Sequence, residues 1–333
     1  MPTALAIPLF VASLAVALAS AALFARTLDR LGVRIGLPEA LVGLLTALAA
    51  DGPEITSAIV ALVKGATGLS LGVVVGSNIF NLAAMLGLTV LLAGGIRLRR
   101  EALAVEGSVG ILVTFIAGGV VLDVVPGTVA VALIGCVLVP YLLLLTRGSL
   151  IARRLPFPQR IDRGLARALG EREHWGRHER VEEATVWRLV AVMAPSAALI
   201  VLGSTGMVET TISLADHWGL PHTLVAVLIL APLTSVPNAF TAARLGLAGR
   251  GAALFSETLN SNTINLVFGI AVPALVVTVI SRTGEAKFAF VWLIVMTIAS
   301  LLMLSRARGM GRGDGAILIG LYVAFCVVEV AHT

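Results

Sequence analysis

The sequence predicts an all-α polytopic membrane protein whose ten transmembrane helices form two inverted five-helix repeats. Of its 333 residues, 58% are hydrophobic and only 13% are charged, and the mean hydropathy is +1.00. Soluble domains rarely have such a composition. The apolar runs reach the length of about 20 residues that a helix needs to cross a bilayer. A β-barrel would instead show alternating segments of about ten residues, so a helical bundle is predicted.

Ten apolar runs are long enough to be assigned as spans. The first is taken as a helix rather than a cleavable signal peptide, because no positively charged segment precedes it. The predicted spans are residues 3–25, 38–64, 68–95, 102–122, 126–146, 188–209, 222–247, 252–280, 288–304 and 314–331.

The positive charges predict the orientation of these spans. If both termini are extracytoplasmic, all 24 Lys and Arg residues except Lys64, Arg282 and Lys287 lie in cytoplasmic segments. Positive residues are retained on the cytoplasmic side of membranes, so this orientation is favoured. The sequence shows no Arg- and Ser-rich leader, and the prokaryotic plasma membrane is the predicted location.

One long polar segment, residues 147–187, is rich in Arg and Glu and separates the two halves. It predicts a cytoplasmic linker between a first five-helix repeat, residues 1–146, and a second, residues 188–333. The positive net charge of +5 is explained by this topology, and no nucleic-acid partner is predicted.

The two halves share a sequence pattern. Gly36-Leu37-Pro38 recurs as Gly219-Leu220-Pro221, and Ser77-Asn78-x-x-Asn81-Leu82 recurs as Ser261-Asn262-x-x-Asn265-Leu266. Between these two shared segments the second repeat has one additional residue, and with that residue inserted Pro53 aligns with Pro237. The internal repeats are placed at about residues 36–95 and 219–280. Because five is odd, equivalent helices cross the membrane in opposite directions, as in secondary carriers with inverted repeats.

Each repeat contains an apolar span interrupted near its middle. Prolines remove a backbone hydrogen bond and clash with the preceding turn, so helix breaks are predicted there. The predicted breaks are at Gly52 and Pro53, and at Pro232 and Pro237. Asp51 and Glu54 flank the first break, and no basic residue lies at comparable depth. Acids inside a membrane are costly unless paired or ion-bound, so a cation is their predicted partner.

The next span of each repeat carries Ser and Asn four residues apart, on one helix face. Their oxygens suit hard cations such as Ca²⁺ or Na⁺, although such residues also hold helices together by hydrogen bonds. The predicted cation-binding residues are Asp51, Glu54, Ser77, Asn81, Thr234, Ser235, Asn238, Glu257, Ser261 and Asn265. Among them, Glu54, Asp51, Asn81 and Asn265 are the predicted metal ligands. Glu257 is either a third site acid or a gate, or else a snorkelling or protonated residue.

These segments resemble the α-repeats of the sodium/calcium exchanger superfamily of cation/Ca²⁺ antiporters, and the chain is identified as a divergent prokaryotic member. The resemblance rests on Gly76-Ser77-Asn78-x-x-Asn81, on Pro53-Glu54 and on Thr234-Ser235-Val236-Pro237, and it extends over nearly the whole chain. It implies alternating-access antiport, with Glu54, Ser77, Asn81, Thr234, Ser235, Ser261 and Asn265 as ion ligands.

Three departures from the family pattern concern the site itself. Asp51 adds an acid where the family carries a hydroxyl, and Asn238 stands in place of the second glutamate. Asn260 replaces the glycine of the second motif. The acidity is therefore shifted towards the first repeat, which argues against the usual Na⁺/Ca²⁺ stoichiometry.

The predicted function is Na⁺- or H⁺-driven antiport of Ca²⁺ or another cation, with inorganic cations and the lipid bilayer as partners and no cofactor. Two alternatives remain open. One is a carrier of monovalent cations that uses the same site, and the other is a degenerate membrane sensor or scaffold that does not transport. No nucleophile and base pair or cofactor motif lies at membrane depth, so no enzyme is predicted.

Overall fold

A computed structural model describes residues 3–37, 39–98, 100–152, 185–277, 279 and 284–331. Thirteen α-helices, three π-helical segments, one 3₁₀ turn and two short strands lie within these ranges. The first half contains α1 Thr3–Arg34, α2 Glu39–Ala50, α3 Gly52–Val63, α4 Thr67–Asn81, π1 Leu82–Leu88, α5 Thr89–Ala93, β1 Gly95–Ile96, α6 Arg100–Val121 and α7 Gly127–Ala152. The second half contains α8 Val186–Trp218, α9 His222–Val225, π2 Ala226–Leu230, α10 Ala231–Leu247, α11 Gly251–Leu266, π3 Val267–Ala271, the 3₁₀ turn Pro273–Leu275, α12 Gly284–Ser305, β2 Met310–Gly311 and α13 Arg312–Ala331.

The described residues include eight helices that are long and apolar enough to cross a membrane, and a ninth candidate is the bent pair α2 and α3. The one predicted span not among these nine, residues 252–280, corresponds to α11 and π3. This stretch is continuously helical from Gly251 to Ala271, but its motif side chains make it more polar than the others. The protein is therefore a multi-pass helical membrane protein.

Two predicted spans are too short. The first helix continues to Arg34 rather than ending near residue 25, and α8 continues to Trp218 rather than residue 209. Both extensions carry polar residues. The predicted spans stop where the apolar run stops, although the helix continues beyond it. Most of the predicted linker, residues 153–184, lies outside the described residues.

The two halves have matching helix ends. Gly36 and Gly219, which follow α1 and α8, both adopt positive φ, at 72° and 64°. Gly65 and Gly249 do the same after α3 and α10, at 76° and 73°. Glycine adopts this left-handed conformation without the strain that a side chain brings. Equivalent sequence positions thus end equivalent helices in both halves.

The helices that contain the two prolines differ in shape. The first is bent by 55° between α2 and α3, with Asp51 at the junction and Pro53 in the first turn of α3. In the second half, His222–Leu247 forms one span without a comparable bend, and Pro237 lies inside α10. The predicted break at Pro232 and Pro237 is therefore wrong.

The π-helical segment π2 explains why the second helix stays continuous. It lies between Val225 and Pro237, and over this stretch the second repeat has one residue more than the first. A π-helical turn holds an additional residue, so the insertion is absorbed within the helix. The Thr234 hydroxyl also donates to the carbonyls of Leu230 and Ala231, at 3.0 Å each, in the turn that precedes Pro237.

Close contact between α4 and the helix α9–π2–α10 brings the repeats together. A Cβ on Gly72 would lie 2.7 Å from Ala226 Cβ, and one on Gly76 would lie 2.9 Å from Val227 Cα. Only glycine permits backbones to approach this closely. The bend of the first repeat, α4, α10 and α11 then meet in the interior of the molecule.

Candidate cation-binding site

Four helices place polar side chains around the bend of the first repeat. Asp51 occupies the bend, and Glu54 lies in the first turn of α3. The other predicted ligands lie on the opposing helices: Ser77 and Asn81 on α4, Thr234, Ser235 and Asn238 on α10, and Glu257, Ser261 and Asn265 on α11. Only about 1% of Asp51 and 2% of Glu54 is exposed, so both carboxyl groups are fully enclosed by protein.

The second repeat donates hydrogen bonds to both acids of the first. Ser235 Oγ donates to Glu54 Oε1 at 2.5 Å, and Asn238 Nδ2 donates to Asp51 Oδ1 at 2.6 Å. Ser261 Oγ also donates to Asp51 Oδ1, at 2.9 Å. In the repeat alignment, Ser235 is the equivalent of Asp51 and Asn238 is the equivalent of Glu54. Each acid is thus contacted by the residue equivalent to the other acid.

Among the residues that the structure describes, no basic side chain neutralises these acids. Within the described ranges, none of the ion pairs involves Asp51 or Glu54. The two carboxyl groups lie close together, and Glu257 lies near Asp51. Neutral hydrogen-bond donors only partly stabilise buried negative charge, so a positive ion would stabilise this arrangement.

Several oxygen atoms around the acids have no hydrogen-bond partner although they are buried. They come from both repeats and from three helices and the bend: Asp51 Oδ2, Glu54 Oε2, Ser77 Oγ, Asn81 Oδ1 and Asn265 Oδ1. Buried polar atoms are nearly always paired in folded proteins, and a missing ion is one recognised reason for exceptions. Carboxylate, hydroxyl and amide oxygens are the ligands of hard cations. Within the described residues, no group of three or more His, Cys, Asp or Glu forms a separate metal site.

Comparison with known protein families decides which family this is. The family model described as sodium/calcium exchanger protein matches residues 5–147 and 188–331, on both sides of the predicted linker. The chain belongs to the sodium/calcium exchanger protein family. This confirms the resemblance found in the sequence motifs, and the family is one of ion exchangers rather than enzymes.

Curated relatives match the chain at low identity. The putative antiporter CaxA of Alkalimonas amylolytica is 24% identical over 86% of this chain and 86% of its own length. The inner membrane protein YrbG of Escherichia coli is 24% identical over 87% of this chain and 86% of its own length. The sodium/calcium exchanger MaX1 of Methanosarcina acetivorans is 26% identical, but the match spans only 40% of this chain and 38% of MaX1.

Solved structures share the fold of this chain. YfkE superimposes with a TM-score of 0.66 at 16% identity, covering 96% of this chain and 91% of YfkE. The sodium-calcium exchanger NCX_Mj superimposes with a TM-score of 0.57 at 18% identity, covering 96% of this chain and 97% of NCX_Mj. At such identities the similarity concerns the fold, and the roles of the residues must be argued from this chain.

Two predicted ligands are placed differently from the rest. Thr234 is buried, but its hydroxyl donates to carbonyls of its own helix. Glu257 lies near Asp51 yet is only partly buried, at the edge of the cluster. Its neighbour Ser256 donates to Glu106 Oε2 of α6 at 2.6 Å. The enclosed cluster therefore consists of the other eight predicted residues.

Asn78 and Asn262, the first asparagine of each motif, were not among the predicted ligands. Asn78 Nδ2 donates to the backbone carbonyl of Asn262 at 3.2 Å, and Asn262 Nδ2 donates to the backbone carbonyl of Asn78 at 3.1 Å. This reciprocal pair joins α4 to α11 beside the acids. The signal was present, because an asparagine recurs directly after the serine in both motifs.

Two further polar contacts adjoin the site. Ser204 Oγ of α8 donates to the Pro53 carbonyl at 3.3 Å, and so contacts the first turn after the bend. Tyr141 of α7 donates to Asn260 Oδ1 at 3.3 Å. Asn260 is the residue that replaces the motif glycine, so this substitution gives α11 a polar contact that α4 lacks at Gly76.

Proposed function

We propose that the protein is a secondary active antiporter that exchanges Ca²⁺ or a related cation for Na⁺ or H⁺ at the cluster around Asp51 and Glu54. The observation that carries this proposal is a pair of enclosed carboxyl groups. Within the described part of the chain they have no basic partner, and buried oxygens without hydrogen bonds surround them. A bound cation supplies the missing positive charge and the missing contacts at once.

Membership of the family and the names of the relatives support exchange of these ions. MaX1 and NCX_Mj are both named sodium/calcium exchangers, and NCX_Mj was studied after soaking with Na⁺ and Sr²⁺. CaxA is named a putative antiporter. Proton competition for the same carboxyl groups would provide H⁺ coupling, because a protonated carboxyl no longer attracts a cation.

The proposed mechanism is alternating access between two inverted halves. Each half has five spans, and α11–π3 is counted as one span of the second half. Both termini then lie outside the cell and the 147–187 linker lies inside. Helix α8 packs against α3, and Ile200 of α8 lies 3.7 Å from a Cβ built on Gly52. The equivalent residue of α10, Val236, is 50% exposed. In the opposite state, α1 would cover α10 as α8 covers α3.

The departures from the family pattern determine how the charge is arranged. Both enclosed acids, Asp51 and Glu54, come from the first repeat, and the second repeat contributes the donors Ser235, Asn238 and Ser261. Two carboxylates balance one divalent cation or two monovalent cations. The site therefore suits exchange of a divalent cation for two monovalent ions.

The test is cation flux in proteoliposomes that contain the purified protein. Ca²⁺ uptake should depend on an opposing Na⁺ or H⁺ gradient, and Asp51→Asn and Glu54→Gln should abolish it. Asp216→Asn is the matched control, since this carboxylate is 67% exposed and lies at the end of α8. No gradient-dependent movement of any cation tested would refute the proposal.

The same experiment separates the two alternatives. Flux of a monovalent cation that continues without a counter-ion indicates a carrier rather than an antiporter. Cation binding without flux indicates a sensor or scaffold. Binding that survives Asp51→Asn and Glu54→Gln together shows that the cation binds elsewhere.

A further inference from the structure

We propose that Asn262 is a positioning residue, which fixes the side-chain amide of Asn81 so that its carbonyl oxygen points at the cation. This inference rests on the proposed function, because it assigns a role within the same site. Asn262 is the first asparagine of the second motif, and it lies beside the predicted ligands without being one of them.

A backbone carbonyl fixes the orientation of the Asn262 amide. The carbonyl oxygen of Asn78 can only accept a hydrogen bond, so the amide atom of Asn262 that contacts it at 3.1 Å must be Nδ2. The other amide atom, Oδ1, then faces Asn81. Only about 7% of Asn262 is exposed, so water does not compete effectively for these groups.

The orientation of Asn262 in turn fixes that of Asn81. Because Asn262 Oδ1 can only accept, Asn81 must present its Nδ2, and this contact is 3.0 Å long. Asn81 Nδ2 also contacts Ser261 Oγ at 3.2 Å. The remaining amide atom, Asn81 Oδ1, is buried and has no partner. It is thus the only polar atom of this side chain that is free to bind a cation.

A flipped Asn81 would be unfavourable for two reasons. Its Oδ1 would face Asn262 Oδ1, so two acceptors would oppose each other in a buried position. Its Nδ2 would face the ion-binding cluster, where a donor repels a cation. Asn262 therefore excludes the amide orientation that does not bind cations before any ion arrives.

The equivalent contact in the other repeat is not made. By the repeat alignment, Asn265 Nδ2 would donate to Asn78 Oδ1, yet both atoms are buried without a partner. Asn265 instead lies beside Glu54. Asn78 therefore does not orient Asn265 in the way that Asn262 orients Asn81.

This difference supplies a matched pair of variants. Asn262→Ala and Asn78→Ala each remove a buried amide and one bond to a backbone carbonyl across the α4–α11 contact. Only Asn262→Ala also removes the shorter of the two bonds that hold Asn81 Nδ2. We expect Asn262→Ala to weaken Ca²⁺ binding by about tenfold, and Asn78→Ala to weaken it by no more than about twofold.

The measurement is Ca²⁺ titration of the purified full-length protein by calorimetry, with flux assays to separate KM from kcat. The positioning role raises KM in Asn262→Ala, whereas a structural role lowers thermal stability and kcat equally in both variants. In an Asn81→Ala background, adding Asn262→Ala should weaken binding no further. Asn262→Ser and Asn78→Ser provide the comparison if either alanine variant is not obtained folded.

Equal affinities of the Asn262 and Asn78 variants would overturn the inference, as would a further loss of affinity in the Asn81→Ala background. Failure of the proposed function looks different. In that case the unsubstituted protein itself binds no Ca²⁺, Na⁺ or other cation, and its flux does not depend on any gradient.

Discussion

The two proline-containing helices of the repeats occupy equivalent positions but have different shapes. In the first repeat, α2 and α3 bend by 55° at Asp51, whereas His222–Leu247 remains one helix around Pro237. The acids lie at the bend, and the neutral donors Ser235 and Asn238 lie on the continuous helix. The comparison teaches that proline alone does not break a membrane helix. The two helices also differ in Gly52, which precedes Pro53, and in the π-helical turn π2, which precedes Pro237.

The largest expected effect concerns the acids that the comparison places in the first repeat. Glu54→Gln should lower cation affinity by about 100-fold, since removing one partner of a buried ionic contact costs about 3 kcal/mol or more. Ser235→Ala, which removes the matching donor of the second repeat, should cost about tenfold or less. Equilibrium binding of ⁴⁵Ca²⁺ measures both. Equal losses would show that the acid is not the principal ligand.

Proline substitutions test the difference in helix shape directly. Pro53→Ala should let α2 and α3 join into a straighter helix, because it restores the N–H that Pro53 lacks and removes a clash with the preceding turn. Asp51 and Glu54 would then move, and flux should fall by at least about tenfold. Pro237→Ala should change flux by less than about threefold, since α10 is already continuous there. The reverse order in a proteoliposome assay would contradict this explanation.

Gly76 and Asn260 are equivalent positions with opposite packing. A Cβ at Gly76 would lie 2.9 Å from Val227 Cα and 3.0 Å from Ala231 Cβ. Gly76→Ala should therefore lower the free energy of unfolding by about 1–3 kcal/mol. Asn260→Ala removes only the contact with Tyr141 at a partly buried position, and should cost about 1 kcal/mol or less. Thermal unfolding in detergent compares the two variants.

Restoring an acid to the second repeat would reduce the asymmetry of charge. Asn238→Asp places a carboxyl group against Asp51, where the amide now donates at 2.6 Å. Repulsion should lower the unfolding temperature of the cation-free protein, and Ca²⁺ should restore it. A stability that does not depend on Ca²⁺ would show that this position lies outside the cation's reach. Asn238→Ala controls for loss of the hydrogen bond without added charge.

The smallest effect is expected at the end of α3. Lys64 forms an ion pair with Glu209 of α8 at 2.7 Å, and the equivalent of Lys64 in the second repeat is Ala248. Lys64→Ala should shift the balance between conformations by no more than about fivefold, because exposed ion pairs contribute at most about 1 kcal/mol. The shift should disappear at high salt, which screens the pair in the unsubstituted protein. The balance between conformations is measured by labelling a cysteine introduced as Gly52→Cys from each side of the vesicle.

Much of the fold could be predicted because lipid imposes strong limits on composition. The apolar runs and the repeated Ser-Asn-x-x-Asn motif indicated the helices and the family, and they named residues that the structure brings together around Asp51 and Glu54. The helix ends were missed at Arg34 and Trp218, since hydropathy does not detect a helix that continues beyond the apolar layer. The polarity of the motif helix α11 arises from motif side chains such as Ser261, Asn262 and Asn265.

Within the site, residue types could be predicted but partners could not. Sequence spacing placed Asp51 and Glu54 near the motif serines and asparagines. It could not show that Asn238 bonds to Asp51 while Ser235 bonds to Glu54, because such pairs depend on how the two repeats pack. The role of Asn262 was missed for the same reason. Its contacts with Asn78 and Asn81 join positions about 180 residues apart.

The π-helical turn Ala226–Leu230 also has a consequence for how the two halves could diverge after duplication. It confines a length difference of one residue to a single turn, so the side chains downstream keep the same facing as before. Ser235 and Asn238 thus keep their register towards the acids although the stretch before them is one residue longer than in the first repeat. Equivalent residues of the two halves must accordingly be counted from the nearest proline or glycine landmark, because counting from the start of the span misassigns each of them by one position.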